Sequence, residues 1–132
     1  MPHQGSWAQA GVADATEAFL HPVVLTRGAA ADTTPLRSVE GLRLVGDSVQ
    51  LVSLRRRADA DTAVEVRMVN SSDRDTVAVV GSDAVPMNSA AMVDGRGAVQ
   101  GRLDVRDGLV RVPLRPWEIA AVRVDIGAPL ET

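Results

Sequence analysis

The residues with the most obvious potential for metal chemistry are the two histidines, His3 and His21. They lie eighteen positions apart, and neither belongs to an H-E-x-x-H pattern or a related zinc signature. A site built on both would need a further ligand from Asp or Glu, because the chain has no cysteine. The sequence therefore predicts no metal ion and no other cofactor in this chain.

Carboxylates are the next candidates, because a pair of them can perform general acid–base chemistry on a glycosidic bond. The chain contains 17 Asp and Glu residues, but they are scattered through predicted turns. The acidic segment DADTAVE lacks the central glycine and the ligand spacing of a calcium loop. No serine lies in a G-x-S-x-G turn. The sequence therefore predicts no catalytic residue.

One segment, RPWEIAAVRV, brings unusual residues together at the start of a predicted strand. Trp117 can cap the end of a β-sandwich, and Glu118 can accept hydrogen bonds from backbone amides or from an arginine. The arginine run at 55–57 predicts a solvated strand end, because the chain as a whole is acidic.

Composition limits the partners of the chain. Its 132 residues carry a formal net charge of −3, and all 14 basic residues are arginine. This net negative charge does not indicate a surface that binds nucleic acid. We find no signal peptide and no apolar run of membrane-spanning length, so the sequence predicts no membrane partner and a cytoplasmic, bacterial location. The chain has two Trp, one Phe and no Tyr, so an aromatic surface that stacks on sugar rings can only be small.

The hydrophobic pattern from Leu36 onward has a period of two, with turn residues every eight to twelve positions. This predicts an all-β fold, an antiparallel β-sandwich over residues 36–126. The Asp-Gly pair at 107–108 predicts a hairpin that sets Val105 opposite Val110 and Leu103 opposite Val112.

A second hairpin is predicted at the Gly-Asp pair at 46–47, with Leu44 opposite Val49. The segment TAVEVRMVN predicts a strand with one apolar and one polar face. The stretch 82–97 contains Pro86 and two glycines, and it predicts no long strand.

The first 35 residues have a different pattern. VADATEAFL predicts a short helix that Pro22 ends, between an extended segment and a small polar linker. We therefore divide the chain into residues 1–35, with this helix and linker, and residues 36–132, a β-sandwich domain. Apolar side chains in the first part predict self-association, namely Val12, Phe19, Val23 and Leu25.

Three segments in this order resemble the C-terminal end of the α-mannosidases of glycoside hydrolase family 38. PHQGSWAQAGVADATEAFLHP is similar to the family's Pro-His-x-Gly-x-Trp stretch, here with His3 and Trp7. LVSLRRRADADTAVEVRMVNSSD is similar to its Arg-x-x-Asn strand, here Arg67 to Asn70. VRVPLRPWEIAAVRV is similar to its terminal strand pair with Pro-x-Glu-Ile, here including Glu118.

The resemblance implies that this chain is a fragment of a longer enzyme, in which residues 1–35 are the end of a preceding β-domain and residues 36–132 are the C-terminal domain. The family's catalytic domain, with its zinc ion and catalytic carboxylates, would lie upstream, and the upstream catalytic and β-domains would be the partners of this chain. The fragment alone would then be non-catalytic. Its candidate residues would have structural or cleft-bordering roles: His3, Trp7, Arg67, Asn70, Trp117 and Glu118. The alternative is a free-standing β-sandwich module that binds a glycan or a protein.

Overall fold

The computed structural model describes residues 4–7, 10–22, 41–57 and 62–127. The chain divides into two compact units, Met1–Ser38 and Val39–Thr132. The predicted helix is confirmed in the first unit as α1 (Val12–Leu20), with Pro22 two residues after its end. Phe19 is 83% exposed, so this helix presents the apolar surface on which the predicted self-association depends. His3, Val23 and Leu25 lie outside the described residues.

The described part of the second unit is built from strands alone. They are β1 (Leu42–Val45), β2 (Val49–Arg56), β3 (Ala63–Asn70), β4 (Thr76–Ser82), β5 (Met87–Val93), β6 (Val99–Leu103), β7 (Val105–Arg106), β8 (Leu109–Leu114) and β9 (Ile119–Ile126). All pairings are antiparallel, in a four-stranded sheet of order β1-β4-β8-β7 and a five-stranded sheet of order β2-β3-β9-β5-β6. The predicted all-β, sandwich-like fold is confirmed.

The core of the sandwich consists of alternate residues from both sheets. Val66 and Met68 on β3 are fully buried, as are Val80 on β4, Val112 on β8 and Val122 on β9. Because successive side chains on a strand point to opposite faces, their neighbours in sequence lie on the outer faces. On β3 and β9, the side chains between these core positions lie on the face that points away from the core, which we call the outer face of the five-stranded sheet.

The hairpin at Asp107-Gly108 is confirmed at its turn. Both turn residues have positive φ, at 52° and 70°, and Val105 pairs with Val110. The predicted pairing of Leu103 with Val112 is wrong. Leu103 pairs with Ala90 in the five-stranded sheet, so the chain passes from one sheet to the other next to Leu103. An alternating pattern shows which residues face the core, but a sandwich offers two sheets that satisfy it.

The predicted hairpin at 46–47 is also wrong, because β1 pairs with β4 and β2 pairs with β3. The turn carries the chain between the sheets, and a Cβ on Gly46 would lie 3.1 Å from the carbonyl oxygen of Val77. The prediction of no long strand over 82–97 is wrong as well. Strand β5 lies there, beginning directly after Pro86 and ending before Gly95.

Candidate functional site

Two of the residues singled out in the sequence meet at one cleft on the outer face of the five-stranded sheet. Arg67 on β3 and Glu118 before β9 both line it, with Asp94, Gln100 and Ala121. The cleft has a volume of about 470 Å³, and we call it the Arg67 cleft. It forms here because Arg67 and Ala121 are paired across β3 and β9, and the methyl group of Ala121 leaves space beside the longer side chain.

Asn70 lies at the end of β3 and is fully buried. Its Nδ2 donates to the carbonyl oxygens of Arg74 and Arg115, at 2.7 and 2.9 Å. Its Oδ1 accepts from the backbone N–H of Ser72 at 3.0 Å and from the Ser72 hydroxyl at 2.8 Å. Both donors and both lone pairs are therefore used within the domain. This side chain joins the loop after β3 to the loop before β9, and it has a structural role.

Trp117 and Glu118 lie in that second loop rather than in a strand. The Glu118 Oε2 accepts a 2.7 Å hydrogen bond from the Arg115 N–H, as expected for an acceptor of backbone amides. The Trp117 N–H donates to the Ser72 carbonyl at 3.1 Å. Trp117 has φ of 61°, a left-handed conformation that is unusual for a bulky residue, and its side chain is 55% exposed.

Trp7, the other tryptophan singled out in the sequence, belongs to the first unit and is 41% exposed. Its backbone carbonyl accepts a hydrogen bond from the Val12 N–H at 3.2 Å, at the start of α1. The structure therefore brings together Arg67, Asn70, Trp117 and Glu118 at one end of the five-stranded sheet.

The strongest electrostatic feature of the outer face is a cluster of three arginines around Glu65, which the sequence analysis did not predict. The Glu65 side chain is only 5% exposed. Its Oε1 accepts from Arg55 at 2.9 Å and Arg67 at 3.0 Å, and its Oε2 accepts from Arg57 at 3.2 Å. We call these four residues the Glu65 cluster. It holds the Arg67 guanidinium in place at the edge of the Arg67 cleft.

The run of arginines at 55–57 is thus only partly the solvated strand end that we expected. Arg55 is 58% exposed in its side chain, but Arg57 is 21% exposed, and both bind Glu65. A usable signal was present in the strand pattern. Glu65 and Arg67 are two positions apart and share a face, and an antiparallel β2–β3 pair places an arginine of the run opposite Glu65.

The charge state of Glu65 depends on the balance of two effects. Burial raises the pKa of its carboxyl, but hydrogen bonds from Arg55 and Arg57 and the positive charges nearby outweigh burial and hold the pKa below 4.5. A carboxyl with a lowered pKa stabilises the fold above its unfolded-state pKa and loses that contribution as the pH falls through its folded-state pKa. Glu65 is therefore ionised at neutral pH.

We expect the stability difference between the wild-type protein and Glu65→Gln to be constant at neutral pH and to shrink in acid. The difference begins to fall as the pH approaches 4.5, and it disappears below the lowered pKa of Glu65. Urea unfolding of both proteins across this range measures it. A difference that stays constant into strong acid would contradict an ionised Glu65 in the folded state.

The turn between β5 and β6 packs against the Glu65 cluster. Gly97 has φ of +87°, and a Cβ added there would lie 2.2 Å from the Arg57 Nη1. We therefore expect Gly97→Ala to lower the unfolding free energy by about 1–2 kcal/mol, through backbone strain and displacement of the guanidinium. Thermal unfolding followed by circular dichroism measures this loss.

Gly95→Ala is the matched control in the same turn. A Cβ at Gly95 meets no atom within 4 Å, and its φ is not positive. We expect this change to be neutral or to stabilise by up to about 1 kcal/mol, since alanine restricts the unfolded chain. Equal losses in the two variants would contradict a specific contact at Gly97.

No protein-family model matches this chain, and no curated protein matches it. The described residues include no group of three or more His, Cys, Asp or Glu side chains that could hold a metal ion. Within the same residues, no helix has the length and apolar character needed to cross a membrane.

Proposed function

We propose that this chain is the non-catalytic C-terminal accessory domain of an α-mannosidase that resembles those of glycoside hydrolase family 38. In this proposal the sandwich packs against the upstream catalytic part and borders its sugar cleft, and the zinc ion and catalytic carboxylates belong to that upstream part. The three ordered segments that resemble the family supply the identity of the enzyme. The surface around Trp117 supplies the contact.

The single observation that supports the contact is the exposure of two large apolar side chains two positions apart in sequence, on either side of Glu118, the second of which lines the Arg67 cleft. Trp117 is 55% exposed and Ile119 is 66% exposed. We call this pair the docking patch. Large exposed apolar groups with a polar surround are typical of protein interfaces, and tryptophan is a frequent anchor there.

The backbone at Trp117 adds to this argument. A left-handed conformation costs a non-glycine residue about 1–2 kcal/mol. It is retained because Asn70 donates to the carbonyls of Arg115 and Glu118 on the two sides of the tryptophan, and the Ser72 carbonyl accepts from the Trp117 N–H. Strain of this kind concentrates at functional positions, and here it directs a large apolar side chain outward.

The polar side chains beside the docking patch are held in fixed positions by hydrogen bonds within the domain. Glu118 is fixed by the Arg115 N–H, and Arg67 is fixed by Glu65. Groups held in advance lose little conformational entropy when a partner binds, which favours a rigid protein surface as the partner.

A glycan-binding module is the second candidate, and the exposed Trp117 is the feature that favours it. A tryptophan face can stack on a sugar ring, and the next residue, Glu118, lines the Arg67 cleft. A single aromatic residue gives a small platform, however. We therefore place this function second.

One titration separates the two candidates. In a Trp7→Phe background the emission reports Trp117 alone, because the chain has only two tryptophans. The accessory-domain function predicts a saturable blue shift with the catalytic part encoded upstream, and no change with methyl α-D-mannoside or mannobiose. Saturable quenching by these sugars without a response to the catalytic part would contradict it and support the glycan-binding module.

We expect Ile119→Asp to weaken docking on the catalytic part by at least about tenfold, since it introduces a charge into the apolar centre of an interface. Val77→Asp is the matched control, because Val77 is 47% exposed on the other sheet. Isothermal titration calorimetry measures both affinities. Docking that is equally sensitive to the two substitutions would contradict the docking patch.

A further inference from the structure

A second cleft lies on the same outer face, where β5, β6 and β9 meet. Its volume is about 530 Å³, within the range of roughly 300–1,000 Å³ that small-molecule sites occupy. It is lined by polar and charged side chains over a small apolar floor, namely Ser89, Ala91, Arg102, Asp104, Arg123 and Asp125. We call it the Arg102 cleft.

Two arginines face each other across the floor of this cleft. Ala91 pairs with Arg102 on one side and with Arg123 on the other. Neighbouring strands are about 4.8 Å apart, so the two arginine Cα atoms are separated by about 10 Å. The strand between them carries Ala91 at this level, whose side chain is a single methyl group, so a planar group of a few atoms can lie between the guanidinium groups.

The two arginines differ in the ion pairs and hydrogen bonds that their guanidinium groups make. Arg123 makes one long ion pair, 3.5 Å from its Nη2 to Asp125, and is 27% exposed. Within the described part of the chain, the Arg102 guanidinium makes no hydrogen bond and no ion pair, and it lines the cleft. An arginine guanidinium presents a fork of donors that matches a carboxylate in two parallel hydrogen bonds.

The opposite side of the cleft supplies acceptors. Asp125 lines the cleft, and its Oδ2 accepts a 2.6 Å hydrogen bond from the Ser89 hydroxyl. Asp104 also lines the cleft, and it pairs with the exposed Arg106. Carboxylates in these positions accept from hydroxyl groups and disfavour a multiply charged anion such as phosphate.

From this arrangement we propose that the Arg102 cleft binds a sugar acid, a single carboxylate that carries neighbouring hydroxyl groups. Arg102 and Arg123 hold the carboxylate, while Asp125, held by Ser89, accepts from the hydroxyl groups. This site is separate from the docking patch, because Arg123 lies four residues beyond Ile119 on β9, about 13 Å along the strand. It does not depend on the catalytic part.

The test is calorimetric titration of the whole 132-residue chain with D-glucuronate. We expect saturable binding, and no binding of methyl β-D-glucoside, which lacks the carboxylate. The methyl β-glycoside of D-glucuronate separates the two sources of the ligand: equal affinity assigns the acidic residue of a glycan, and loss of affinity assigns the free acid. Absence of binding by both acids would overturn the proposal.

Variants connect the binding to the cleft. We expect Arg102→Gln to weaken D-glucuronate binding by about tenfold or more, since hydrogen bonds between charged groups are the strong ones and the variant loses the fork of donors. Arg102→Lys keeps the charge but loses the fork of donors. Its affinity for D-glucuronate is therefore expected to fall between that of the wild-type protein and that of Arg102→Gln. Arg111→Gln, an exposed arginine on β8 of the other sheet, serves as the control and keeps wild-type affinity.

Inorganic phosphate is the remaining probe. Phosphate binding as tight as that of D-glucuronate would show a general attraction for anions and overturn the recognition of hydroxyl groups. Unfolding curves establish that each variant is folded before its affinity is compared. Failure of glucuronate binding with intact docking would reject this site alone, and failure of docking with intact glucuronate binding would reject the accessory function alone.

Discussion

Asn70→Asp is expected to lower the unfolding free energy of the sandwich by about 3 kcal/mol, since two buried hydrogen bonds are lost and a carboxylate is left unsatisfied. The substitution keeps the shape of the side chain but replaces Nδ2 with an acceptor. That atom would then face the carbonyl oxygens of Arg74 and Arg115, which now lie 2.7 and 2.9 Å from Nδ2. For a domain of this size the loss corresponds to a fall in Tm of about 10–20 °C.

Asn88→Asp is the matched control, because Asn88 is the other asparagine of the chain and is exposed on β5. We expect it to change the unfolding free energy by no more than about 0.5 kcal/mol. Thermal and urea unfolding of the three proteins measure both effects. A loss of the same size in both asparagine variants would show that Asn70 does not join the two loops as described.

The loop that Asn70 fixes holds Trp117, so the same variant also tests the link between packing and function. In folded Asn70→Asp protein, below its Tm, we expect weaker docking on the catalytic part because the tryptophan is no longer held in place. Wild-type docking affinity in that protein would show that the docking patch does not need a fixed loop.

Glu65→Gln is expected to destabilise the sandwich by about 2–4 kcal/mol, because it leaves three arginines without the buried carboxylate that compensates them. The Glu65 side chain is 5% exposed, and its two oxygens accept from all three guanidinium groups. Removing one partner of a buried ionic cluster leaves uncompensated charge, which costs more than removing an exposed pair. Urea unfolding at neutral pH measures this loss.

Asp104→Asn is the control for charge alone. Asp104 pairs with Arg106, and both side chains are more than 80% exposed, so we expect no measurable change in Tm. A double variant, Glu65→Gln with Arg57→Gln, is expected to lose less stability than the two single variants added together, because the second change removes one of the unpaired charges. Additive losses would contradict a coupled cluster.

The sequence predicted the kind of fold and its clearest turn, but not which sheet each strand joins. The Asp107-Gly108 turn was recognisable because both residues adopt positive φ readily. The segment at 46–49 and the step after Leu103 both connect the two sheets. Neither could be told from a hairpin, because alternation shows only that a side chain faces the core, and both sheets face the same core.

The candidate site, like the fold, was only partly predictable from the sequence. Arg67 and Asn70 were singled out through the family resemblance, and Glu118 by its place at a predicted strand start; all three lie together at one end of the five-stranded sheet. The Glu65 cluster was missed because its members come from β2, β3 and the segment after β2, and its geometry depends on the β2–β3 register. Arg102 and Arg123 meet only through Ala91 on the strand between them, a relation that sequence spacing does not contain.

We propose that the sandwich belongs to an α-mannosidase whose catalytic part lies upstream. The most direct measurement is the DNA sequence immediately upstream of the Met1 codon. We predict that the reading frame stays open and encodes a catalytic domain with Asp and His residues that bind zinc. A stop codon within a few triplets of Met1 would contradict the claim, and the glycan-binding module would then be the better account of the exposed Trp117.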